Sequence, residues 1–330
     1  AEERTFVQKL VDTAWPDLHP VVGQVLGRGG QAIVYKLVFA DGRSEALKVI
    51  DTSVYRDPAR RKDANRRGRS EMHHHKQLSD KTDTVVKFYD SASSCERGQD
   101  APMCFLLRME LLTPLDPKNL AALDPANREK AVLQIMRDVL EGLCQTEDAG
   151  IVHRDVKCGN ILLRHDPATG QSRFVLSDFG LARPFHTRTD RSFFTVCGSS
   201  DHIAPEIIRR GKLIAGRSDI YSAGVMLFHL LFPQNDDYFD PIGFRQKSAD
   251  FPFSPEIKNL LFSLTEVSPA SRPSPAVALI EVNRLLMQRD PTAAPFRSCS
   301  EPPARSRING RHAGKRSNTP APRLFRSAGR

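Results

Sequence analysis

His153-Arg154-Asp155-Val156-Lys157-Cys158-Gly159-Asn160, followed eighteen residues after Asn160 by Asp178-Phe179-Gly180, is the stretch on which the reading of this chain turns. It sets two acids, a lysine and an amide between apolar runs. Ile161-Leu162-Leu163 follows the first part and Phe174-Val175-Leu176 precedes the second. Those runs predict two short strands joined by a turn over His165-Asp166-Pro167-Ala168-Thr169-Gly170. A hairpin built that way brings Asp155, Asn160 and Asp178 to one end. Taken alone, the stretch reads equally as two solvated loops, because Asp and Asn are ordinary turn residues.

Upstream, Val21–Leu26 and Ile33–Phe39 read as strands around Gly27-Arg28-Gly29-Gly30-Gln31-Ala32. Glycines in such a turn let backbone N–H groups approach phosphate oxygens. A tight hairpin is the commoner meaning of Gly-x-Gly by itself. After the Asp41-Gly42 turn, Ser44–Ile50 predicts a third strand with Lys48 inside it. Strand alternation puts Lys48 on the face of Ala46 and Ile50, opposite Leu47 and Val49. A lysine there either snorkels to water or faces an anion. Arg56–Leu78 is charged and turns helical toward its end, where Glu71 is the acid best placed to meet Lys48. His73-His74-His75 fan around that helix and cannot all face one metal.

Val85–Tyr89 and Phe105–Leu112 predict two more strands, with Ser91–Pro102 as the loop between them. Beyond residue 112 the apolar period becomes helical. Asn127–Ala149 is expected as one helix, with others at 204–211, 217–232, 255–265 and 274–288. Leu181–Asp201 has no period, and so long a loop inside a domain is usually functional. Residues 1–20 read as a short amphipathic lead-in with Phe6, Leu10 and Val11 on one face, stopped by Trp15-Pro16 and His19-Pro20.

The 330 residues are 40% hydrophobic and 26% charged, ordinary for a globular chain of one large domain or two lobes. No apolar run approaches the roughly 20 residues that cross a bilayer, and Ala1-Glu2-Glu3-Arg4 lacks a signal-peptide core. The chain opens on Ala rather than Met and is read as trimmed or as a fragment. Its six cysteines, Cys95, Cys104, Cys144, Cys158, Cys197 and Cys299, form no C-x-x-C pair and are expected as reduced thiols of an intracellular protein. Residues 291–330 carry nine basic side chains against Glu301, a net +8 of the total +9. The high pI therefore belongs to this Pro/Ser/Arg-rich tail, expected to be disordered. It is a solubilising linker or, as the alternative, an arm for acidic surfaces, nucleic acid or nuclear import.

Together the motifs resemble the eukaryotic-type protein-kinase family, serine/threonine class, over Val21 to about Arg289. The resemblance rests on Gly27-x-Gly29, Ala46-Leu47-Lys48, Glu71, His153-Arg154-Asp155, Asn160, Asp178-Phe179-Gly180, Ala204-Pro205-Glu206, Asp219 and Arg272, in the family's order. It implies an α+β bilobal fold. A small, mostly β lobe with one main helix would span 21–112, and a larger, mostly helical lobe 113–290. It implies ATP and Mg²⁺ as cofactors, with Mn²⁺ as the alternative ion, and protein Ser/Thr hydroxyls as substrates. Asp155 would take the substrate's proton, with Lys157 and Lys48 as its catalytic companions. The glycine loop with Leu26, Gly27, Gly29 and Val34 would cover the phosphates. Lys48 would meet the α and β phosphates, held by Glu71. Met109, Glu110 and Leu112 would receive adenine, sandwiched by Val34, Ala46 and Leu162. Asn160 and Asp178 would bind the metal. Glu206–Arg272 and Asp219 would support the large lobe.

Lys157 matches the serine/threonine class. Thr195 and Ser199 fit the activation-segment phosphosite and the substrate-proximal hydroxyl, with Arg67, Arg154 and Arg183 converging on the phosphate. The resemblance further implies a cytoplasmic protein, with the nucleus as the alternative. A pseudokinase scaffold is the competing reading, opposed by the presence of Lys48, Asp155, Asn160 and Asp178. The chain departs from the family at Ala32, which replaces the third loop glycine, and at His74 and His75, where the family carries apolar residues. It departs also at Gly159, where basophilic members carry an acid, and at Ser200-Asp201-His202, where proline often follows Ser199.

Overall fold

The computed structural model describes residues 2–29, 32–94, 104–184, 202–210, 216–234 and 239–289. A first helix, α1 (Glu2–Ala14), leads into strands β1 (Val21–Arg28), β2 (Ile33–Val38) and β3 (Ser44–Asp51), then helix α2 (Pro58–Ser79) and strands β4 (Phe88–Ser94) and β5 (Cys104–Glu110). The five strands form one antiparallel sheet in the order β1-β2-β3-β5-β4. Gly42, at φ +83°, closes the β2–β3 turn by donating its N–H to the Phe39 carbonyl.

Alternation along β3 divides two cores. Leu47 and Val49 point outward into a cluster with Val7, Val11 and Trp15 of α1's side of the sheet. Ala46 and Ile50 point inward to Phe105, Leu107, Met109 and Val175. Each such buried side chain contributes about 1.5–3 kcal/mol. The face of α1 that packs is therefore Val7, Leu10, Val11 and Ala14. Phe6 was expected on it and is instead 51% exposed, one step around the helix.

Helix α2 is longer than its polar composition suggested. Asp57 caps it, accepting the Ala59 N–H at 3.0 Å, and Pro58 opens it at a position that needs no N–H. Gly68 lets it lie close on the sheet, since a Cβ there would sit 2.5 Å from the Phe105 ring. The predicted strand Val85–Tyr89 is displaced. Val85 forms a parallel bridge with Leu176, and β4 starts at Phe88 and continues through Ser91–Ser94, expected as loop. As an edge strand β4 needs little apolar content, and the apolar pair Val85-Val86 is buried by the interior instead.

The second half is mostly helical. After β6 (Thr113–Pro114) come α3 (Pro125–Asp148), β7 (Ile151–Val152), β8 (Ile161–His165), β9 (Ser172–Leu176) and β10 (Arg183–Pro184). Then follow α4 (Pro205–Arg210), α5 (Arg217–Leu231), α6 (Pro241–Lys247), α7 (Pro255–Leu264) and α8 (Pro275–Arg289). The short α6 was not among the expected helices. Helix α3 is capped by Asp124, which accepts the Asn127 N–H, and α7 by Ser254, which accepts that of Ile257. Helix α5 is apolar nearly all round and lies in the centre, packed with α3 and α7. The β8–β9 hairpin forms as predicted, with Ile161 opposite Leu176. The result is the expected α+β arrangement, a small sheet-rich lobe and a large helical lobe. Among the described residues no helix is long and apolar enough to cross a membrane.

Candidate active site

The β8–β9 hairpin brings the 153–160 stretch and Asp178 to one end, as expected from its apolar runs. Asp155 lies in the loop before β8, and its Oδ2 accepts from Lys157 Nζ and from Asn160 Nδ2, each at 2.8 Å. Its Oδ1 is buried and takes no hydrogen bond among the described residues. A buried carboxylate oxygen without a donor is costly. The loop is strained into place. Arg154 has φ +71°, in the left-handed region that a bulky non-glycine residue rarely enters. Asp219 of α5 holds it there by accepting the N–H groups of His153 and Arg154 at 2.7 and 2.8 Å. Burial raises the Asp219 carboxyl, opposed by His153 and by those two N–H groups.

Asp178 is the second left-handed residue of the site, at φ +63°. Its Oδ1 meets Lys48 Nζ at 2.7 Å, and Lys48 also meets Glu71 Oε1 at 2.5 Å. Burial pulls Lys48 down, but the Asp178 and Glu71 carboxylates outweigh it and raise its pKa. Burial likewise raises Glu71 against the pull of Lys48. For Asp178, burial is overcome by Lys48 and by the Gly180 N–H, and the carboxyl falls to about 2. Space at Gly180 is tight, since a Cβ would lie 3.0 Å from Glu71 Oε2 and 3.1 Å from Asp178 Oδ1 and would press on both carboxylates.

Phe179, fully buried, packs between the tilted rings of His75 of α2 at 5.4 Å and His153 at 5.0 Å. His75 donates from Nε2 to the Val86 carbonyl at 2.8 Å, and burial holds its pKa near 4, so it is a neutral ring. His75 thus does the packing of the apolar residue expected there, and the Glu71 register stands. His74 is also buried, whereas His73 faces out.

Of the residues expected to receive adenine, Ala46, Met109, Val34, Leu112 and Leu162 share one apolar cluster. Leu26 is 41% exposed at the rim and is not part of that cluster. Of the glycine loop, Gly29 donates to the Ala32 carbonyl at 2.8 Å, and Gly27 has open space on the side where a Cβ would point. Glu110 closes β5, and its carboxylate is gripped by Arg164, which sequence reasoning missed. Ser177 was missed as well. Its N–H and Oγ both donate to the Asn160 carbonyl, tying the two halves of the site together. Neither residue carries a local signature; both act through partners distant in sequence.

The residues fit a divalent ion and a nucleotide. Asp178 stays ionised with 42% of its side chain exposed. Asn160 spends its amide N–H₂ on Asp155, which leaves Oδ1 as a ligand. No group of three acidic, His or Cys ligands exists among the described residues. One carboxylate and one amide oxygen suit a hard ion that keeps waters and phosphate oxygens as its other ligands.

Arg67, Arg154 and Arg183 come close together, with Arg66 beside them. Burial and then Arg154, Arg66 and Arg67 push Arg183 down to about 10. Arg67 shares Asp63 with Arg66. Thr195 and Ser199 lie outside the described residues. Cys158 is buried enough that its thiol is pushed up to about 12, which suits a passive role. Cys104, Cys144 and Cys158 form no disulfide among the described residues. In the large lobe, Arg272 and Glu206 form a buried two-pronged pair at 2.8 Å on each arm.

Residues 21–282 match the protein kinase domain family. The chain is 30% identical over 281 residues to the serine/threonine-protein kinase PknL of Mycobacterium tuberculosis, covering 82% of this chain and 66% of PknL. It is 31% identical over 216 residues to a probable serine/threonine-protein kinase PknB of Bifidobacterium longum, covering 64% of this chain and 29% of that protein. It is 33% identical over 221 residues to CBL-interacting protein kinase 4 of rice, covering 64% and 43%. The chain thus spans about two thirds of the length of PknL and less than half of the other two. With the fold, the motif order and a match over most of its length in agreement, this chain belongs to the protein kinase domain family.

Proposed function

We propose that this chain is an intracellular serine/threonine protein kinase that moves the γ-phosphate of ATP to protein hydroxyls. The observation that carries the reading is the unsatisfied Asp155 Oδ1, tied through Asn160 and Ser177 to the segment that brings Asp178 to Lys48 and Glu71. Bound ATP with Mg²⁺ supplies the phosphoryl group and the charge that neutralises it in transfer. Asp155 orients a substrate hydroxyl and accepts its proton at Oδ1, while Lys157 and Asn160 fix the other oxygen. Lys48 is fixed by Glu71 to face phosphate oxygens. Asp178 and the Asn160 Oδ1 are the metal ligands. Val34, Ala46 and Leu162 enclose the base, and the backbone of Met109, Glu110 and Leu112 meets its edge. Stabilisation of this kind is set before the reaction begins, since the charged groups are already oriented.

The reading includes control by phosphorylation. A phosphate on Thr195 pairs with Arg67, Arg154 and Arg183, whose mutual repulsion it relieves. Residues 291–330, at net +8, contact an acidic surface or nucleic acid. The test is labelled ATP with Mg²⁺ and a peptide library, run on the wild type, Asp155→Asn and Thr195→Ala. Incorporation by the wild type and none by Asp155→Asn supports the kinase. No incorporation by the wild type, with nucleotide still bound, turns the reading to a scaffold. Full activity of Thr195→Ala removes the phosphorylation control.

A further inference from the structure

Arg164 stands on β8 two residues after Leu162, on the same face of the strand. Its Nε donates to Glu110 Oε1 and Oε2 at 2.9 and 3.1 Å, and its Nη2 to Glu110 Oε2 at 2.5 Å. The remaining donors go to backbone. Nη1 reaches the Asp83 carbonyl at 2.5 Å and Nη2 the Val85 carbonyl at 2.9 Å. Both partners are largely shielded from water, with side chains 14% and 16% exposed. Glu110 is also tied to Lys87, through its backbone N–H at 2.9 Å and through Oε2, which accepts the Lys87 N–H. One guanidinium therefore joins the end of β5, the 83–87 stretch and the hairpin of the large lobe.

We infer that Arg164 is a positioning residue for the adenine slot, setting the spacing between its edge at Glu110 and its floor at Leu162. This rests on the reading above that the slot takes adenine. The edge and the floor come from different lobes, and the strand that carries each ends beside the clamp. A bidentate, charge-assisted pair with low solvent access is strong and fixes angle as well as distance. It prepares the slot in the free protein, so the base does not have to order it. A lysine keeps the charge but lacks the fork.

The test measures nucleotide affinity by titration with ATP and, separately, with inorganic tripolyphosphate, which has no base. Both are run with Mg²⁺ on the wild type, Arg164→Met and Arg164→Lys. The expected result is a loss of ATP affinity of about tenfold, ~1.4 kcal/mol, in both variants, with tripolyphosphate affinity unchanged. Glu110→Gln should show the same selective loss, and the double variant with Arg164→Met should add little to it. Equal ATP affinity in the folded variants overturns the inference, even where melting temperature falls, because a merely stabilising pair lowers only the latter. Equal losses for ATP and tripolyphosphate overturn it as well. Should Arg164→Met not fold, Arg164→Lys decides by the same comparison. A wild type that binds tripolyphosphate but not ATP defeats the adenine reading itself, a different outcome from failure of the clamp.

Discussion

At the scale of single residues, the site is a set of charges fixed before any ligand arrives. Asp155 presents one oxygen to Lys157 and Asn160 and keeps the other open. Asp155→Asn is predicted to lower the phosphoryl-transfer rate by about 10²–10⁴-fold with nucleotide affinity kept; an unchanged rate in a steady-state assay would remove Asp155 as the base. Lys48→Met is predicted to do something different. It leaves the Glu71 and Asp178 carboxylates together without a cation, so Asp178 titrates well above its value of about 2. The pKa of Asp178 followed by NMR checks this, and no upward movement contradicts it. Lys48 stood out in the sequence because it interrupts an apolar strand, whereas Glu71, Asp155, Asn160 and Asp178 each read alone as a solvated helix or turn residue and were picked out by the order of motifs that resembles the kinase family. Arg164 was not, since an arginine on a hairpin looks like any solvated one until Glu110, 54 positions away, is seen beside it.

At the scale of elements, the strands and helices that were legible are those whose burial is two-sided or strictly periodic, such as β3, α3 and α5. Those misread have one face in water or a contact far along the chain. Phe6 looked like the apolar face of α1, but the packing angle on the sheet favours Val7, Leu10, Val11 and Ala14. Val85-Val86 looked like strand and is instead core beneath the β9 end, while polar Ser91–Ser94 completes the edge. The large lobe depends on a joint between α4 and the segment before α8. Arg272 is fully buried, pairs with Glu206, donates to the carbonyls of Glu266, Arg217 and Val267, and stacks over Tyr221 at 4.8 Å. Arg272→Ala is predicted to destabilise the fold by roughly 3–5 kcal/mol, the cost of leaving a buried carboxylate unpaired. A urea midpoint equal to that of the wild type would contradict it.

At the scale of the whole molecule, proton uptake and lobe coupling are the properties to measure. His74, His75 and His202 are held near pKa 4, each chiefly by burial, below an ordinary value near 6.5. The unfolded chain therefore binds protons between pH 6.5 and 4 that the native one refuses, and these groups take stability away as pH falls through that window. Burial-raised carboxyls such as Glu71 and Asp219 act in the opposite sense, so the difference between wild type and His75→Leu isolates the imidazole. The wild type should lose more melting temperature than the variant between pH 7 and 5; parallel losses in calorimetry count against it. Trp15 offers a way to watch the lobes separately. It is the only tryptophan in the chain, its indole N–H is bonded to Asp90 at 2.7 Å, and its ring lies 5.2 Å from the Arg108 guanidinium. Its fluorescence therefore reports the small lobe alone, whereas far-ultraviolet dichroism is dominated by the helices of the large one. Denaturant curves from the two signals that superimpose mean one cooperative unit, and a gap between their midpoints gives the order in which the halves come apart.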